Sequence, residues 1–243
     1  MLIKNEPALD GDKSPIVVFD VSETLLDVHA LSPVFGQVFG DSNAVRGWFD
    51  QVVIYSQALT LSNQYADGTT VGIAVLEMLA AARGRVVGPS DIAMLRQLSA
   101  ALPTYPDTVE ALQMLKQAGV RVMTLNNSPT AVVAIQLAGA GLSELIDEVH
   151  SIDDGVRLYK PAKESYLDLA RALGVSPTAL WLVSCHAFDT MGAAEAGFRT
   201  ALILRSGNAP IGLGKAPDIV DRDLRTIVER ILAQLPHKAS GRC

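Results

Sequence analysis

Charged and polar side chains follow the apolar runs of this sequence at places where they could carry out chemistry. Asp20 ends the run PIVVFD, Asn126 follows the run VRVMTL, and Asp189 comes shortly after LWLVS. Lys160 lies in a loop between the last two segments. A carboxylate in such a place can act as a nucleophile, and a nearby ammonium keeps it ionised and holds an anionic substrate. Together these residues predict a catalytic site built on two acids and a lysine.

The elements that must position these residues alternate between strands and helices. Continuous apolar runs are typical of strands buried on both faces of a parallel sheet, and they span residues 15–20, 120–125, 180–183, 200–204 and 219–220. Helices are predicted at residues 107–118, 129–138, 163–173, 189–196 and 222–235. Glycines at four predicted helix ends indicate C-terminal caps: Gly119, Gly139, Gly174 and Gly197. The alternation predicts an α/β protein whose ligand binds at the carboxyl ends of its parallel strands.

The segment from about residue 28 to residue 102 interrupts this alternation. Its pattern is helical, with helices predicted at residues 33–39, 44–65, 69–83 and 90–101. A helical block between the first and second strands predicts a cap over the carboxyl edge of the sheet. We therefore expect a core domain formed by residues 1–27 and 103–243, and a cap domain formed by residues 28–102.

The composition is that of a globular protein. The 243 residues are 49% hydrophobic and 19% charged, and the formal net charge is -6. This mild acidity argues against a nucleic-acid partner, which would require clustered basic residues. Two cysteines, Cys185 and Cys243, form neither a disulfide framework nor a zinc site. The sequence has no signal-peptide pattern and no apolar stretch long enough for a membrane span, so we expect a cytoplasmic protein without a membrane partner.

Taken together, the motifs resemble those of the haloacid dehalogenase superfamily over residues 16–235. In FDVSETLLD the resemblance makes Asp20 the nucleophile and Thr24 its hydroxyl partner. Asn126, Lys160 and Asp189 match the superfamily's later polar positions. The resemblance implies a doubly wound, Rossmann-like parallel sheet with a small helical cap inserted after the first strand.

Two replacements point to one branch of this superfamily. Most members are magnesium-dependent phosphatases with a second Asp two residues after the nucleophile and a Gly-Asp pair opening the fourth motif. Here Ser22 and the pair Ser184-Cys185 stand at those places. Because Mg²⁺ takes oxygen ligands and two expected acids are missing, we expect no metal and no cofactor. The segments VSCHAFD and YKPAKESY instead resemble the L-2-haloacid dehalogenase branch.

This second resemblance implies a two-step reaction on a short L-2-haloalkanoic acid. Asp20 attacks the halogen-bearing Cα and expels halide, and water then hydrolyses the aspartyl ester to give the 2-hydroxy acid. Arg46, in AVRGWFD, is the match for an arginine that stabilises the departing halide. The residues that orient Asp20 and the water are Lys160, Ser184 and Asp189. The residues expected to bind substrate or wall the pocket are Ser22, Asn126, Tyr166, His186 and Phe188.

Four positions depart from the pattern of that branch. Ser22 replaces an aromatic residue, Glu23 a glycine, Asn126 a serine and His186 an asparagine. Ser22 leaves more room in the pocket, and His186 brings a group that can titrate near neutral pH.

Alternative interpretations accompany this hypothesis. Asp189 could cap the following helix, Arg46 could be a surface residue, and His186 could be structural. The alternative functions are a phosphatase with a depleted magnesium site and a non-catalytic binding protein of the same fold. For the main hypothesis the partner is a small organic acid, and resemblance to the family favours a homodimer.

Overall fold

The computed structural model describes residues 15–235, and in this part of the chain six parallel strands form one sheet. Their spatial order is β3-β2-β1-β4-β5-β6. The strands are β1 (Ile16–Phe19), β2 (Arg121–Asn126), β3 (Glu148–Ser151), β4 (Leu180–Ser184), β5 (Arg199–Ile203) and β6 (Ile219–Asp221). The chain thus builds outward from β1 in one direction and then returns to β4 on its other side. The crevice of such a sheet lies where this direction reverses, between β1 and β4.

Helices connect the strands and fill a long segment after β1. The helices are α1 (Ser32–Phe39), α2 (Ala44–Leu61), α3 (Gly68–Ala81), α4 (Pro89–Ser99), α5 (Thr108–Gln117), α6 (Thr130–Gly139), α7 (Lys163–Leu173), α8 (Ala187–Glu195) and α9 (Leu224–Leu232). The α/β class, the parallel sheet and the helical insertion predicted from the sequence are confirmed. The predicted ends were too long for α2, which stops at Leu61, and for α9 at both ends.

Burial of the central strands explains why apolar runs in the sequence predicted them correctly. Every residue of β1 and of β4 is buried, and Phe19 pairs with Thr124 of β2 on one side and Val183 of β4 on the other. The segment that forms β3 contains no comparable run. It is an edge strand, and three of its four residues keep some exposure to solvent. A strand at the edge needs no apolar side chains on both faces, so its pattern is weak.

Glycines end several helices, with one correction to the sequence analysis. Gly119, Gly174 and Gly197 adopt positive φ, as expected of residues that follow a helix. Gly139, however, is still helical, and Gly141 has the left-handed conformation with φ of 71°. Gly139 is required for another reason, because a Cβ at this position would lie 2.5 Å from the carbonyl oxygen of Ala100. It therefore allows α6 to pack closely against the chain that follows α4.

The helices between β1 and β2 pack around their own aromatic side chains. The rings of Phe35 and Trp48 are 5.2 Å apart, and Trp48 Nε1 donates a hydrogen bond to the carbonyl oxygen of Gly72 at 2.9 Å. The Asp67 carboxylate accepts from the backbone N–H groups of Thr69 and Thr70 and so starts α3. These contacts hold α2 and α3 together as one unit above the sheet.

The division into a core domain and a cap domain remains a prediction at its stated boundaries. Residues 1–14 and 236–243 of the predicted core domain, which include Cys243, lie outside the described residues. Within residues 15–235, none of the helices is long and apolar enough to cross a membrane.

Candidate active site

Asp20 lies directly after β1, at the carboxyl edge of the sheet. Its carboxylate is mostly buried and both oxygens accept hydrogen bonds: Oδ2 from Thr24 Oγ1 at 2.7 Å and Oδ1 from Lys160 Nζ at 2.8 Å. Burial raises the pKa of Asp20, but the Lys160 ammonium and the hydrogen bonds outweigh it and hold that pKa below its usual range. Asp20 is therefore an ionised carboxylate at the opening of a cavity.

Thr24 joins the loop after β1 to the loop after β4. Its hydroxyl donates to Asp20 and accepts from the backbone N–H of Cys185 at 3.0 Å. The side chain is fully buried, and the loop is closed by the bond from the Leu25 N–H to the Val21 carbonyl. Thr24 thus fixes the orientation of the Asp20 carboxylate, as the sequence analysis expected of a hydroxyl partner.

Lys160 connects the two acids of the site. Its buried Nζ donates to Asp20 at 2.8 Å, to Asp189 Oδ2 at 2.9 Å and to the Leu125 carbonyl at 3.1 Å. Burial lowers the pKa of Lys160, but the two carboxylates raise it above its usual value. All three protons of the ammonium have acceptors, so this buried charge is fully compensated.

Asp189 is held behind Lys160. It lies in the first turn of α8, and its Oδ1 accepts a hydrogen bond from the Tyr166 hydroxyl at 2.7 Å. The alternative that Asp189 caps this helix is wrong, because His186 is the N-cap residue. Tyr166 and Ser184 are fully buried and do not line the cavity. Tyr166 therefore supports Asp189 and does not form a wall of the pocket.

Asn126 and Asn127 occupy the end of β2 in different ways. Asn126 Nδ2 donates to Thr124 Oγ1 at 2.8 Å and to the His150 carbonyl at 3.2 Å, so both of its amide hydrogens are directed into the protein. The Asn127 side-chain oxygen accepts from the Lys160 backbone N–H at 3.1 Å. The cavity is lined by Asn126, Asn127 and Ser128 together. Asn127 and Ser128 were not predicted, although they follow Asn126 directly in the sequence.

His186 stands beside Asp20 between two phenyl rings. Its ring is stacked on Phe188 with centroids 5.1 Å apart and on Phe49 of α2 at 5.7 Å. His186 Nε2 is 3.3 Å from the Ser22 carbonyl oxygen and 3.7 Å from Asp20 Oδ2. Phe49 was not predicted. It lies on α2, one of the inserted helices, and forms the same wall of the cavity as His186.

Arg46 lies away from this cavity. Its guanidinium donates to Glu23 Oε1 at 3.3 Å and to Asn208 Oδ1 at 3.0 Å, and it pairs with Asp50 at 3.2 Å. It is not among the lining residues, and it contacts the site through Glu23, whose carboxylate lies 3.9 Å from His186 Nε2. Arg46 and Phe49 both lie on α2, and it is Phe49 that faces the cavity.

Glu23 is the buried acid that Arg46 holds. Its φ of 60° lies in the left-handed region that glycine adopts freely, which accounts for the glycine usual at this place. Burial raises the pKa of Glu23 above its usual range, and the nearby Arg46 guanidinium offsets this only in part. His186 Nε2 is 3.9 Å from Glu23 Oε2 and thus lies between Glu23 and Asp20. The unusual residue at a glycine position was the only sequence signal for this group.

One cavity opens onto Asp20 and measures about 420 Å³. It lies between the end of the sheet and the inserted helices. The predicted residues that line it are Asp20, Ser22, Asn126, Lys160, His186 and Phe188. Most other lining side chains are apolar and include Trp48, Phe49, Val52, Val53, Ile73, Leu95, Val132 and Val133.

A metal ion would find an unusual donor set here. Asp20, Cys185 and His186 bring one donor atom each within 4.8 Å of one another. Burial and the charge of Asp20 hold the pKa of the Cys185 thiol well above its usual value. A protonated thiol and an imidazole do not suit Mg²⁺, which takes oxygen ligands. This donor set therefore does not fit the magnesium site of a phosphatase.

The fold and the site define an α/β protein with a buried carboxylate–lysine pair at the reversal point of a parallel sheet. A family model described as haloacid dehalogenase-like hydrolase matches residues 15–197, and the chain belongs to this family, in the branch of the L-2-haloacid dehalogenases. (S)-2-haloacid dehalogenase 4A of Burkholderia cepacia is 34% identical over 197 residues, which cover 79% of this chain and 84% of that protein.

Further relatives match over most of their lengths. (S)-2-haloacid dehalogenase of Pseudomonas sp. (strain YL) is 29% identical over 88% of this chain and 92% of its own. A solved L-2-haloacid dehalogenase of Xanthobacter autotrophicus, with chloropropionic acid covalently bound, superposes with a TM-score of 0.82 at 26% identity. That comparison covers 91% of this chain and 100% of the solved one.

Proposed function

We propose that this protein hydrolyses L-2-haloalkanoic acids to 2-hydroxy acids and halide through an ester on Asp20. The observation that carries the proposal is the Asp20 carboxylate, held by Lys160 and Thr24 at the mouth of a mostly apolar cavity. Such a carboxylate is ionised, oriented and only lightly hydrated, as a nucleophile at carbon must be. The relatives named for this activity support the same chemistry.

In the first step an oxygen of Asp20 attacks Cα of the substrate. The new C–O bond forms as the carbon–halogen bond breaks, and the halide leaves with the bonding electron pair. Asn127 and Ser128 line the cavity beside Asp20, and we assign them the substrate carboxylate because the amide hydrogens of Asn126 are already engaged. The ester is neutral, while Lys160 remains paired with Asp189.

In the second step water attacks the ester carbonyl carbon. The Lys160 ammonium, which donates to this carboxyl group, stabilises the negative charge that develops on the carbonyl oxygen. Asp189 is fully buried with both oxygens engaged, so we assign the proton of the attacking water to His186. Collapse of the tetrahedral intermediate breaks the bond between the carbonyl carbon and the alkoxide oxygen, and this oxygen takes the proton back from His186, so that the 2-hydroxy acid is released. The proton left on the Asp20 carboxyl group passes to solvent, which restores the carboxylate. The configuration at Cα is inverted once, in the first step.

The inserted helices contribute to this reaction as a cap. We propose that residues 28–102 form a domain that covers Asp20 and keeps bulk water from the first step. Trp48, Phe49 and Val52 of α2 supply the apolar side of the cavity. Arg46 is assigned no contact with halide, because its guanidinium is engaged by Glu23, Asp50 and Asn208.

The experiment is halide release from L- and D-2-chloropropionate by purified protein in the presence of EDTA, with Asp20→Asn as the control. We expect the wild type to release chloride from the L isomer and the variant to release none. Chloride release that requires added Mg²⁺, or equal release by Asp20→Asn, would contradict the proposal. The same preparation tests two further predictions, a homodimer by light scattering and a cytoplasmic location by fractionation of the source cells.

A further inference from the structure

The cavity above Asp20 is much larger than a short haloacid requires. A cavity of roughly 150 Å³ in another protein holds benzene, which has as many non-hydrogen atoms as 2-chloropropionate. The cavity here measures about 420 Å³. After a 2-halo acid head has been seated against Asp20, more than half of this space is still available. Ser22, which lines the cavity, adds to that space because its side chain is small.

The remaining space extends along two helices. Lining residues of α6 continue from Val132 to Gln136, a rise of about 6 Å along the helix axis. On α2 they continue from Trp48 to Ser56, a rise of about 12 Å. The cavity therefore offers room along both helices for more than the reacting head of a short acid.

The chemistry of this space is apolar. Its side chains include Val52 and Val53 of α2, Ile73 of α3, Leu95 of α4 and Val132 of α6. The one amide at its far end, Gln136, donates its Nε2 hydrogen bond to the Ser99 carbonyl at 3.0 Å. Arg96 also lines the cavity but is exposed to solvent, so an alkyl tail is favoured by burial against the apolar side chains.

We propose that the substrates of this protein are 2-halo acids with an unbranched alkyl tail of about six to ten carbons, which lies along α6 against the apolar side chains of α2 and α3. This inference rests on the proposed function for the reacting head and adds the identity of the tail. It differs from the short acids that the sequence predicts.

The first test is kcat/KM for a series of L-2-bromoalkanoates from the propionate to the octanoate. Full burial predicts a rise of roughly fourfold for each of the five added methylenes, or about a thousandfold, and we expect at least about a hundredfold across the series. A constant or falling kcat/KM, with the propionate turned over, would overturn the inference and leave the proposed function intact.

A second test does not depend on turnover. Calorimetry compares binding of octanoate and propionate, which carry no halogen, to the wild-type protein. Tighter binding of octanoate, by roughly fourfold per methylene, supports the tail site even if no halide is released from any substrate. Equal binding of the two acids would overturn it.

Matched variants on α2 locate the tail. Val53 lines the cavity, whereas its neighbour Ile54 is exposed and does not. Val53→Phe is expected to reduce kcat/KM at least about tenfold more for the octanoate substrate than for the propionate substrate, since a filled tail space loses several buried methylenes. Ile54→Phe is expected to change neither. An equal effect of the two variants would contradict the placement of the tail.

Discussion

Lys160 Nζ lies 2.8 Å from Asp20 Oδ1 and 2.9 Å from Asp189 Oδ2, so one ammonium separates two buried carboxylates. Each acid has a further donor, Thr24 for Asp20 and Tyr166 for Asp189. The attacking oxygen is thereby oriented, and the charge of the site is balanced. The same ammonium is in place for the second step, in which the ester carbonyl must be polarised.

Lys160→Met is expected to destabilise the protein and remove activity. Without the ammonium two carboxylates face each other in a buried site, and breaking a buried ion pair costs about 3–5 kcal/mol. Urea denaturation measures this loss, with the exposed Lys163→Met as the control, for which the surface position predicts a change within about 0.5 kcal/mol. A loss as small as that of the control would contradict the assignment.

The stability of Lys160→Met is also expected to depend on pH in a defined direction. In the wild type the pKa of Asp20 is depressed, so its ion pair contributes stability that is present above the usual Asp pKa and is lost as pH falls through the folded-state pKa. In Lys160→Met that contribution is gone, and we expect the stability difference from wild type to shrink on acidification. A difference that grows toward low pH would contradict this account.

His186→Gln is expected to slow the second step selectively. A general base contributes about 10²- to 10⁴-fold to a rate, whereas attack by Asp20 needs no base. The variant is therefore expected to release one equivalent of halide rapidly and then stall as the ester. Rapid-mix halide measurement and intact-protein mass spectrometry detect the burst and the adduct. Steady halide release at the wild-type rate, without adduct, would show that another group takes the proton.

Glu23→Gln is expected to become more stable relative to wild type as pH rises from acid to neutral. Burial raises the pKa of Glu23 despite the nearby Arg46 guanidinium, and Asp50 raises it further. The native state therefore binds more protons than the unfolded state, and the wild type loses stability as pH rises through this pKa. Urea unfolding across this pH range measures the difference. The exposed Glu144→Gln provides the control, and a difference that is independent of pH would contradict the prediction.

Arg46→Ala is expected to reduce kcat/KM by less than about tenfold, because its partly exposed ion pairs act on the site only through Glu23. Loss of a group that stabilises charge in the transition state costs about 10²- to 10³-fold in kcat. Phe49→Ala, on the same helix but in the cavity wall, is expected to have the larger effect of the two. A loss above a hundredfold for Arg46→Ala alone would mean that this residue stabilises the departing halide after all.

The order of motifs along the chain predicted the two acids and the lysine of the site, because parallel sheets bring the carboxyl ends of their strands together. Asp20, Lys160 and Asp189 are up to 169 positions apart in the sequence, yet each follows a strand or its connecting loop, and the topology alone makes them neighbours. Thr24 was predicted from the resemblance of FDVSETLLD to the superfamily's first motif. These predictions needed no knowledge of the inserted helices.

The missed features depend on how the inserted helices sit on the sheet. Arg46 and Phe49 are three residues apart on α2, and periodicity cannot tell which of them faces Asp20. The place of Glu23 in the site depends on its contacts with Arg46 and His186, which the sequence does not show. Strand β3 lacks a buried run because it lies at the edge. The volume of the cavity is a property of packing between α2, α3, α4 and α6, and no local pattern encodes it.

The proposed reaction requires that Asp20 form an ester whose carbonyl carbon is attacked by water. A single turnover in H₂¹⁸O, with enzyme in excess over L-2-chloropropionate, tests it directly. We predict that ¹⁸O enters the carboxyl group of Asp20, detected in the peptide that contains it, while the lactate formed carries unlabelled oxygen. Labelled lactate with an unlabelled Asp20 peptide would mean that water attacks Cα itself and would contradict the account.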